Sequence, residues 1–242
     1  MDNYFDHDVA DHYDESAPEM FDPAVVEPTV EFIAEHARDG AALEFGVGTG
    51  RIALPLAARG VEVTGIDLSP AMIERLQAKP GGRDVEVVVG DMTSTRAAGV
   101  FSVVYLIFNT IMNLTTQSEQ VACFRNAAAH LGPGGRFIIE VGVPALRLLP
   151  PGQRHVVFHS AEREWGIDEY DVVTQGLISH HIEVVDTGVR QDSIPFRYVW
   201  PSELDLMAGM AGMRLRERFA TWSKEPFTHE SRQHVSVWEK PA

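Results

Sequence analysis

The stretch Leu43-Glu44-Phe45-Gly46-Val47-Gly48-Thr49-Gly50 decides how this chain is read. Ala41, Ala42, Leu43 and Phe45 are an apolar strand end, and Arg51 to Arg59 (RIALPLAAR) is a helical run with Pro55 as its one irregular position. Three alternating glycines lie between them. Glycine turns the backbone tightly, takes positive φ without a Cβ penalty and lets the chain come close to a ligand. Several nucleotide-binding folds use such a turn, so its neighbours must tell them apart.

Working outward, the spacing is G-x-G-x-G, and Arg51 stands where G-x-G-x-x-G would place its last glycine. That disfavours a dinucleotide fingerprint. Glu44 puts an acid inside the strand end, where it can meet an ammonium or a hydroxyl. Asp67 ends the next predicted strand (Val61 to Ile66), 17 residues past Gly50. A ribose-binding carboxylate falls at about that place in such βαβ units. Asp91 follows a third predicted strand, Asp84 to Val89. By residue type, order and spacing this set resembles the S-adenosylmethionine site of class I methyltransferases.

The chain has 242 residues and a 45% hydrophobic composition, enough for one sizeable core and too little for two ordinary independent domains. Its formal net charge of −15 repels phosphate backbones, which argues against a nucleic-acid substrate. Eight acids fall in the first 22 residues: Asp2, Asp6, Asp8, Asp11, Asp14, Glu15, Glu19 and Asp22. Asp2 to Asp8 read as a solvated, partly mobile terminus. Cys123 is the only cysteine, so no internal disulfide forms, and its helical surroundings predict a core position. Without a signal-peptide pattern or an apolar run long enough to span a bilayer, the chain reads as soluble and cytoplasmic.

Ala24 to Arg38 has helical apolar spacing, with Pro28 expected to begin or kink its main part. Ser69-Pro70 starts a helix that runs to about Lys79. Phe101 to Phe108 is a buried fourth strand, Gln117 to Leu131 a helix, and Arg136 to Val141 a fifth strand after the turn Gly132 to Gly135. Strands alternating with helices imply a parallel sheet covered on both faces. The pattern changes over residues 154–200, where His155 to His159, Ile167 to Thr174, Leu177 to Val185 and Val189 to Val199 read as an inserted antiparallel β meander. Ser202 to Met213 is expected as a helix capped by Ser202, followed by strands Leu215 to Trp222 and His234 to Lys240. The fold class is thus α/β: a Rossmann-like seven-stranded sheet with helices on both faces, its last strand antiparallel, plus the meander. Residues 19–141 are the expected donor-binding core, 154–200 the substrate cover, and 202–242 the closing helix and strands.

The resemblance implies roles residue by residue. Gly46, Gly48 and Gly50 would let the loop approach the methionyl and ribose parts of the donor. Glu44 would act near the donor ammonium, and Asp67, followed by Leu68, would take both ribose hydroxyls. Asp91 would accept from the adenine amino group, Met92 would pack on the ring, and Phe108 completes the donor set. Tyr13-Asp14 matches a Y-D pair that many small-molecule members carry ahead of their first helix, its tyrosine folding over the donor. Tyr13 is therefore a candidate on both the donor and the catalytic side; Tyr4 is a weaker one.

On the acceptor side, Asn109-Thr110-Ile111-Met112 replaces the N-P-P-Y of enzymes that methylate nucleobase or glutamine amino groups. Asn109 and Asn113 are candidate contacts. Glu140, at the ligand-binding end of strand five, is the first choice for an acceptor-side acid or base. His180 and His181 face opposite sides of their strand, while His155 and His159 are expected to share a face. Arg197 and Tyr198 are candidates to line the cleft, with Trp200 as a core aromatic corner; His229, Arg232 and His234 approach the same edge. The scattered histidines predict no metal site. The insertion resembles the extra sheet of desosamine-type aminosugar N-methyltransferases in architecture only. The expected activity is methyl transfer from S-adenosylmethionine to N or O of a small molecule by direct displacement, leaving S-adenosylhomocysteine. The alternatives are a protein or RNA methyltransferase, a non-catalytic donor-binding protein and a dehydrogenase. The meander's strand edges make a homodimer plausible.

Overall fold

The computed structural model describes residues 7–16 and 18–242. The expectations for Tyr4, Asp2 and Asp6 lie outside them. The main sheet has seven strands: β1 (Ala42–Phe45), β2 (Val63–Asp67), β3 (Glu86–Val89), β4 (Phe101–Leu106), β5 (Leu131–Gly142), β10 (Arg214–Phe219) and β11 (Gln233–Glu239). Their order is β10-β11-β5-β4-β1-β2-β3. Strands β1 to β5 pair in parallel, and β11 runs antiparallel to both β5 and β10. The expected seven strands and antiparallel last strand are present.

Helices α2 (Pro23–Ala37), α3 (Ala53–Ala58), α4 (Pro70–Ala78), α5 (Gln117–His130) and α6 (Pro201–Met210) flank this sheet. Strand side chains alternate between two cores, as a period of two requires. Leu43, Phe45, Val104, Leu106, Phe137 and Ile139 pack with Phe124 and Leu204 on one face. Ala42, Val103, Tyr105 and Ile138 pack with Ile33, Leu56 and Leu76 on the other. Cys123 is buried in the first core, as its surroundings predicted.

Several boundaries differ from expectation for local reasons. Helix α2 starts at Pro23, because Asp22 accepts the Ala24 N–H at 2.8 Å and proline sets the first helical φ. Pro28 lies inside the helix. Pro55 sits in the first turn of α3, where its missing N–H costs little. Ser202 is not a cap: Pro201 opens α6 and Trp200 occupies the cap position with no side-chain bond. Strand β4 stops at Leu106, because Phe108 (φ 53°) and Asn109 (φ 61°) both turn left-handed. An added helix, α1 (His7–Ser16), has too few apolar residues to show in the sequence; Ala10 and Tyr13 pack on Ala71 and Met72 of α4.

The insertion after β5 is a four-stranded antiparallel sheet: β6 (His155–Ser160), β7 (Glu164–Asp171), β8 (Gly176–Val185) and β9 (Gly188–Arg197). Its inner face packs Tyr170 and Leu177 with Tyr198 beyond β9, against Met112 and the turn Ala145–Leu148. Arg197 anchors it. Only 4% exposed, its guanidinium meets Gln120 of α5 at 2.5 Å and Glu203 of α6 at 2.8 Å, while Gln120 Nε2 donates to the Arg197 carbonyl. Removing one partner of a buried charge pair leaves the other uncompensated. Arg197→Ala should cost about 3–5 kcal/mol in urea denaturation, as truncated buried ion pairs do.

Candidate active site

The glycine turn lies at the carboxyl ends of the strands. Gly46, Gly48 and Gly50 all take positive φ, at 70°, 53° and 82°. At two of them space also demands glycine: a Cβ would come within 2.8 Å of Thr110 at Gly46 and 2.9 Å of Leu76 at Gly50. The turn is stitched to β2. Gly46 N–H donates to the Ile66 carbonyl at 2.7 Å, and Gly48 N–H donates to Asp67 Oδ2 at 2.7 Å. Asp67 Oδ1 accepts the Ser69 N–H at 2.8 Å, and Ser69 caps α4 as expected. Burial raises the Asp67 carboxyl above its usual range, against these backbone donors.

Glu44 is 3% exposed and accepts the Tyr105 hydroxyl at 3.0 Å. Burial pushes its carboxyl up to about 8, with Tyr105 and Arg51 opposing. Asp91 follows β3 and accepts the Thr93 N–H at 2.7 Å. Met92 is buried beside it, and its carbonyl accepts from Asn126 at 2.8 Å. Leu68 is half-buried after Asp67. Phe108 is 41% exposed, with the Arg51 guanidinium 5.1 Å from its ring centre.

Helix α1 lies against this turn. Thr49 donates to Asp14 Oδ1 at 2.6 Å, and Lys79 meets Asp14 at 2.5 Å and the Thr49 carbonyl at 2.9 Å. Tyr13 is half-buried, with Arg51 and Asp67 near its phenol; burial raises its pKa. Tyr13, Glu44, Asp67 and the three glycines thus gather at one place.

Beside it, a cavity of about 510 Å³ lies between Phe108, Asn109 and Met112, the end of β5 at Gly142, and the inner face of the second sheet. Its sheet wall carries Phe158, Asp168, Tyr170, Ser179, His181 and Phe196. Asp168 and Ser179 are direct cross-strand partners, and His181 Nε2 lies 3.4 Å from Ser179 Oγ. Burial raises the Asp168 carboxyl above its usual range, while Ser179, His181 and His180 oppose this. It pushes the Tyr170 phenol up to about 12.

Asn109 lines this cavity, and its Oδ1 accepts the Gly142 N–H at 2.7 Å. Glu140 does not line it. Its two oxygens accept the Phe108 N–H and the Trp222 indole N–H, both at 3.0 Å, so it anchors the segment that forms the cavity mouth. Asn113 bonds locally to the Thr110 carbonyl. Tyr198 lines the cavity and Arg197 does not; Trp200, 38% exposed, is no core corner. His181 faces inward, and His180 meets Ser193 and Glu169 on the outer face, opposite as expected. His155 and His159 do not share a face. The register slips between Val157 and His159, so one neighbours Glu169 and the other Glu164, which point to opposite sides of β7. His234 is fully buried, and burial pushes its imidazole down to about 3; neither it, His229 nor Arg232 lines the cavity. Asp168 and Ser179 were missed because an alternating strand marks which residues share a face, not which face meets a cavity.

The family described as "Methyltransferase domain" matches residues 42–135. The solved CcbJ methyltransferase from Streptomyces caelestis is 36% identical with a TM-score of 0.85, covering 97% of this chain and 96% of that one. This chain belongs to the S-adenosylmethionine-dependent methyltransferases. The cypemycin N-terminal methyltransferase from Streptomyces sp is 29% identical over 240 residues, covering 94% of this chain and 97% of that protein. CalS10 of Micromonospora echinaspora, an amino pentose methyltransferase solved with S-adenosylmethionine bound, shares the fold at 21% identity and a TM-score of 0.65, over 89% of each chain. The residues at the glycine turn fit this cofactor. Asp67 uses one lone-pair direction of each oxygen on backbone N–H groups and has others left to accept from hydroxyl donors.

Glu44 gives the pH dependence a definite sign. Its folded pKa of about 8 lies above the ordinary 4.5, so between these values the fold holds a proton that the unfolded chain has released. This contribution to stability is full below pH 4.5 and is lost as the pH rises through 8. In denaturant titrations, Glu44→Gln should be more stable than the parent by a few kcal/mol at pH 8, and the two should converge near pH 4.5.

Proposed function

We propose that the chain methylates the nitrogen of a small amine seated in the 510 Å³ cavity. The carrying observation is the cavity's composition: one shielded carboxylate, Asp168, among Phe108, Phe158, Tyr170, Phe196 and Tyr198. Aromatic faces and a carboxylate together hold an ammonium better than a neutral hydroxyl. The names of the cypemycin N-terminal methyltransferase and the amino pentose methyltransferase point the same way. A net charge of −15 and a cavity walled by the second sheet weigh against RNA and against the body of a folded protein.

S-adenosylmethionine, when bound, supplies a methyl group on a cationic sulfur. Gly46, Gly48 and Gly50 would let the turn reach it, Glu44 would take its ammonium, whose charge draws the proton off the carboxyl, Asp67 would take the ribose hydroxyls, and Asp91 and Met92 would bound the adenine. Phe108 and Asn109 form the seam between this site and the cavity, and Tyr13 closes it from α1. The bound ammonium has no lone pair, so it first passes a proton by way of Asp168 to water; an N–H kept on Asp168 then aims the freed lone pair toward the seam. The nitrogen would form its bond to the methyl carbon as the carbon–sulfur pair leaves with sulfur. The methylated product leaves as an ammonium. Positioning and exclusion of water account for such a reaction without a covalent intermediate.

Calorimetry with S-adenosylmethionine and an acceptor screen reading S-adenosylhomocysteine test this. Asp67→Ala should weaken donor binding roughly tenfold to a hundredfold, as loss of charge-assisted hydrogen bonds does. Asp168→Asn should leave donor binding unchanged and raise KM for the amine by about tenfold or more. Turnover of alcohols in preference to matched amines, or an unchanged KM in Asp168→Asn, would refute the amine reading.

A further inference from the structure

Alternation along β8 puts Ser179 and His181 on the inner face of the second sheet and turns His180 outward. The methyl-transfer chemistry described above uses Asp168 of this wall and leaves Ser179 and His181 without a role. An ammonium that loses a proton inside an apolar cavity needs a way to pass that proton out. Water is a weak base, and a neutral imidazole is a far stronger one.

Three polar side chains run in a row from the cavity interior toward solvent. Asp168 of β7 and Ser179 of β8 are direct cross-strand partners, and the Ser179 hydroxyl hydrogen-bonds the Asp168 carboxylate. Ser179 is 7% exposed. Its Oγ lies 3.4 Å from His181 Nε2, within reach of a contact that tightens in turnover. His181 lines the cavity and is also exposed, so it touches both compartments. A serine hydroxyl accepts and donates at the same time, which lets it join a carboxyl group to an imidazole.

Packing holds the imidazole in this row. Gly166 of β7 is the direct partner of His181, and a Cβ there would come within 2.2 Å of the Phe158 ring. Its missing side chain lets that ring stand edge-on to the imidazole, with centroids 5.5 Å apart. On the other flank Asp192 of β9 stands across from His181, its side chain 70% exposed at the solvent end of the row. The remaining charged groups around this end are held in pairs. Arg190 meets Glu183 at 2.5 Å and lies 4.0 Å from Asp192, and His159 lies 3.7 Å from Glu164.

We propose that Ser179 and His181 are the proton exit of the cavity, carrying the amine's proton from Asp168 to solvent. This inference rests on the amine reading given above. The ammonium gives a proton to the Asp168 carboxylate. Asp168 donates it to Ser179 Oγ as the Ser179 hydroxyl donates its own proton to the lone pair of His181 Nε2. The imidazolium then releases a proton to water or buffer at the rim. Carboxylate, hydroxyl and neutral imidazole are restored, and the nitrogen keeps the electron pair with which it takes the methyl group.

Steady-state kinetics on the full chain, with an amine that the wild type methylates, test this. His181→Gln should lower kcat about a hundredfold at pH 7, the lower range for a lost general base, with KM for the amine and S-adenosylmethionine binding retained. Ser179→Ala should lower kcat about tenfold or more, again with S-adenosylmethionine binding retained. Added imidazole should restore turnover to His181→Ala in proportion to its neutral form, and should not restore Ser179→Ala. A merely structural histidine would show no such rescue. Normal kcat in His181→Gln, no rescue of His181→Ala, or equal rescue of Ser179→Ala would each overturn the proposal and leave the amine reading standing. A wild type that methylates alcohols in preference to matched amines would overturn both.

Discussion

Everything at the donor edge depends on one carboxylate holding two backbone N–H groups. Asp67 ends β2 and accepts from Gly48 in the glycine turn and from Ser69 at the start of α4. The end of β1, the turn and the next helix are thereby fixed to a single side chain. The arrangement needs the turn to approach β2 closely. Gly65 permits that, since a Cβ there would come within 2.6 Å of Val47. A buried acid with a raised pKa is costly in the empty fold. Costs of this kind cluster at functional sites.

The cavity mouth beside the glycine turn rests on a second strained element. Phe108 and Asn109 take consecutive left-handed conformations, uncommon for residues other than glycine. They are held by β5: Glu140 accepts the Phe108 N–H, and Asn109 accepts the Gly142 N–H. Glu140 therefore shapes the cavity mouth while standing outside the cavity. Its own position is set from the other side by the Trp222 indole. Strain of this kind persists where surrounding bonds over-determine it, and the donor edge is such a place.

The second sheet can serve as a wall because it is tied down at one end. Arg197 joins the last strand of the insertion to α5 and α6 of the main fold through Gln120 and Glu203. With that end fixed, alternation along β7 and β8 delivers Asp168, Tyr170, Ser179 and His181 to the cavity, and sends Glu169 and His180 to the opposite face. The chemistry of the wall follows from register, and register from the pairing of Asp168 with Ser179.

The sequence by itself determined the strand–glycine turn–helix unit, the parallel order of the donor half and the inserted meander. The reason is local: positive-φ glycines, Ser69-Pro70 and alternating strands leave periodic marks in the chain. It also marked Glu44, Gly46, Gly48, Gly50 and Asp67 as one group, because these lie at fixed offsets from the turn. Only the tertiary structure decided the rest. The docking of α1, the bulge that parts His155 from His159, the burial of Arg197 and the outward turn of Glu140 from the cavity depend on contacts between residues far apart in sequence. Asp168 is the clearest case. As a residue it is one acid among 35, and it acquires meaning only when folding encloses it among aromatic rings beside the donor edge.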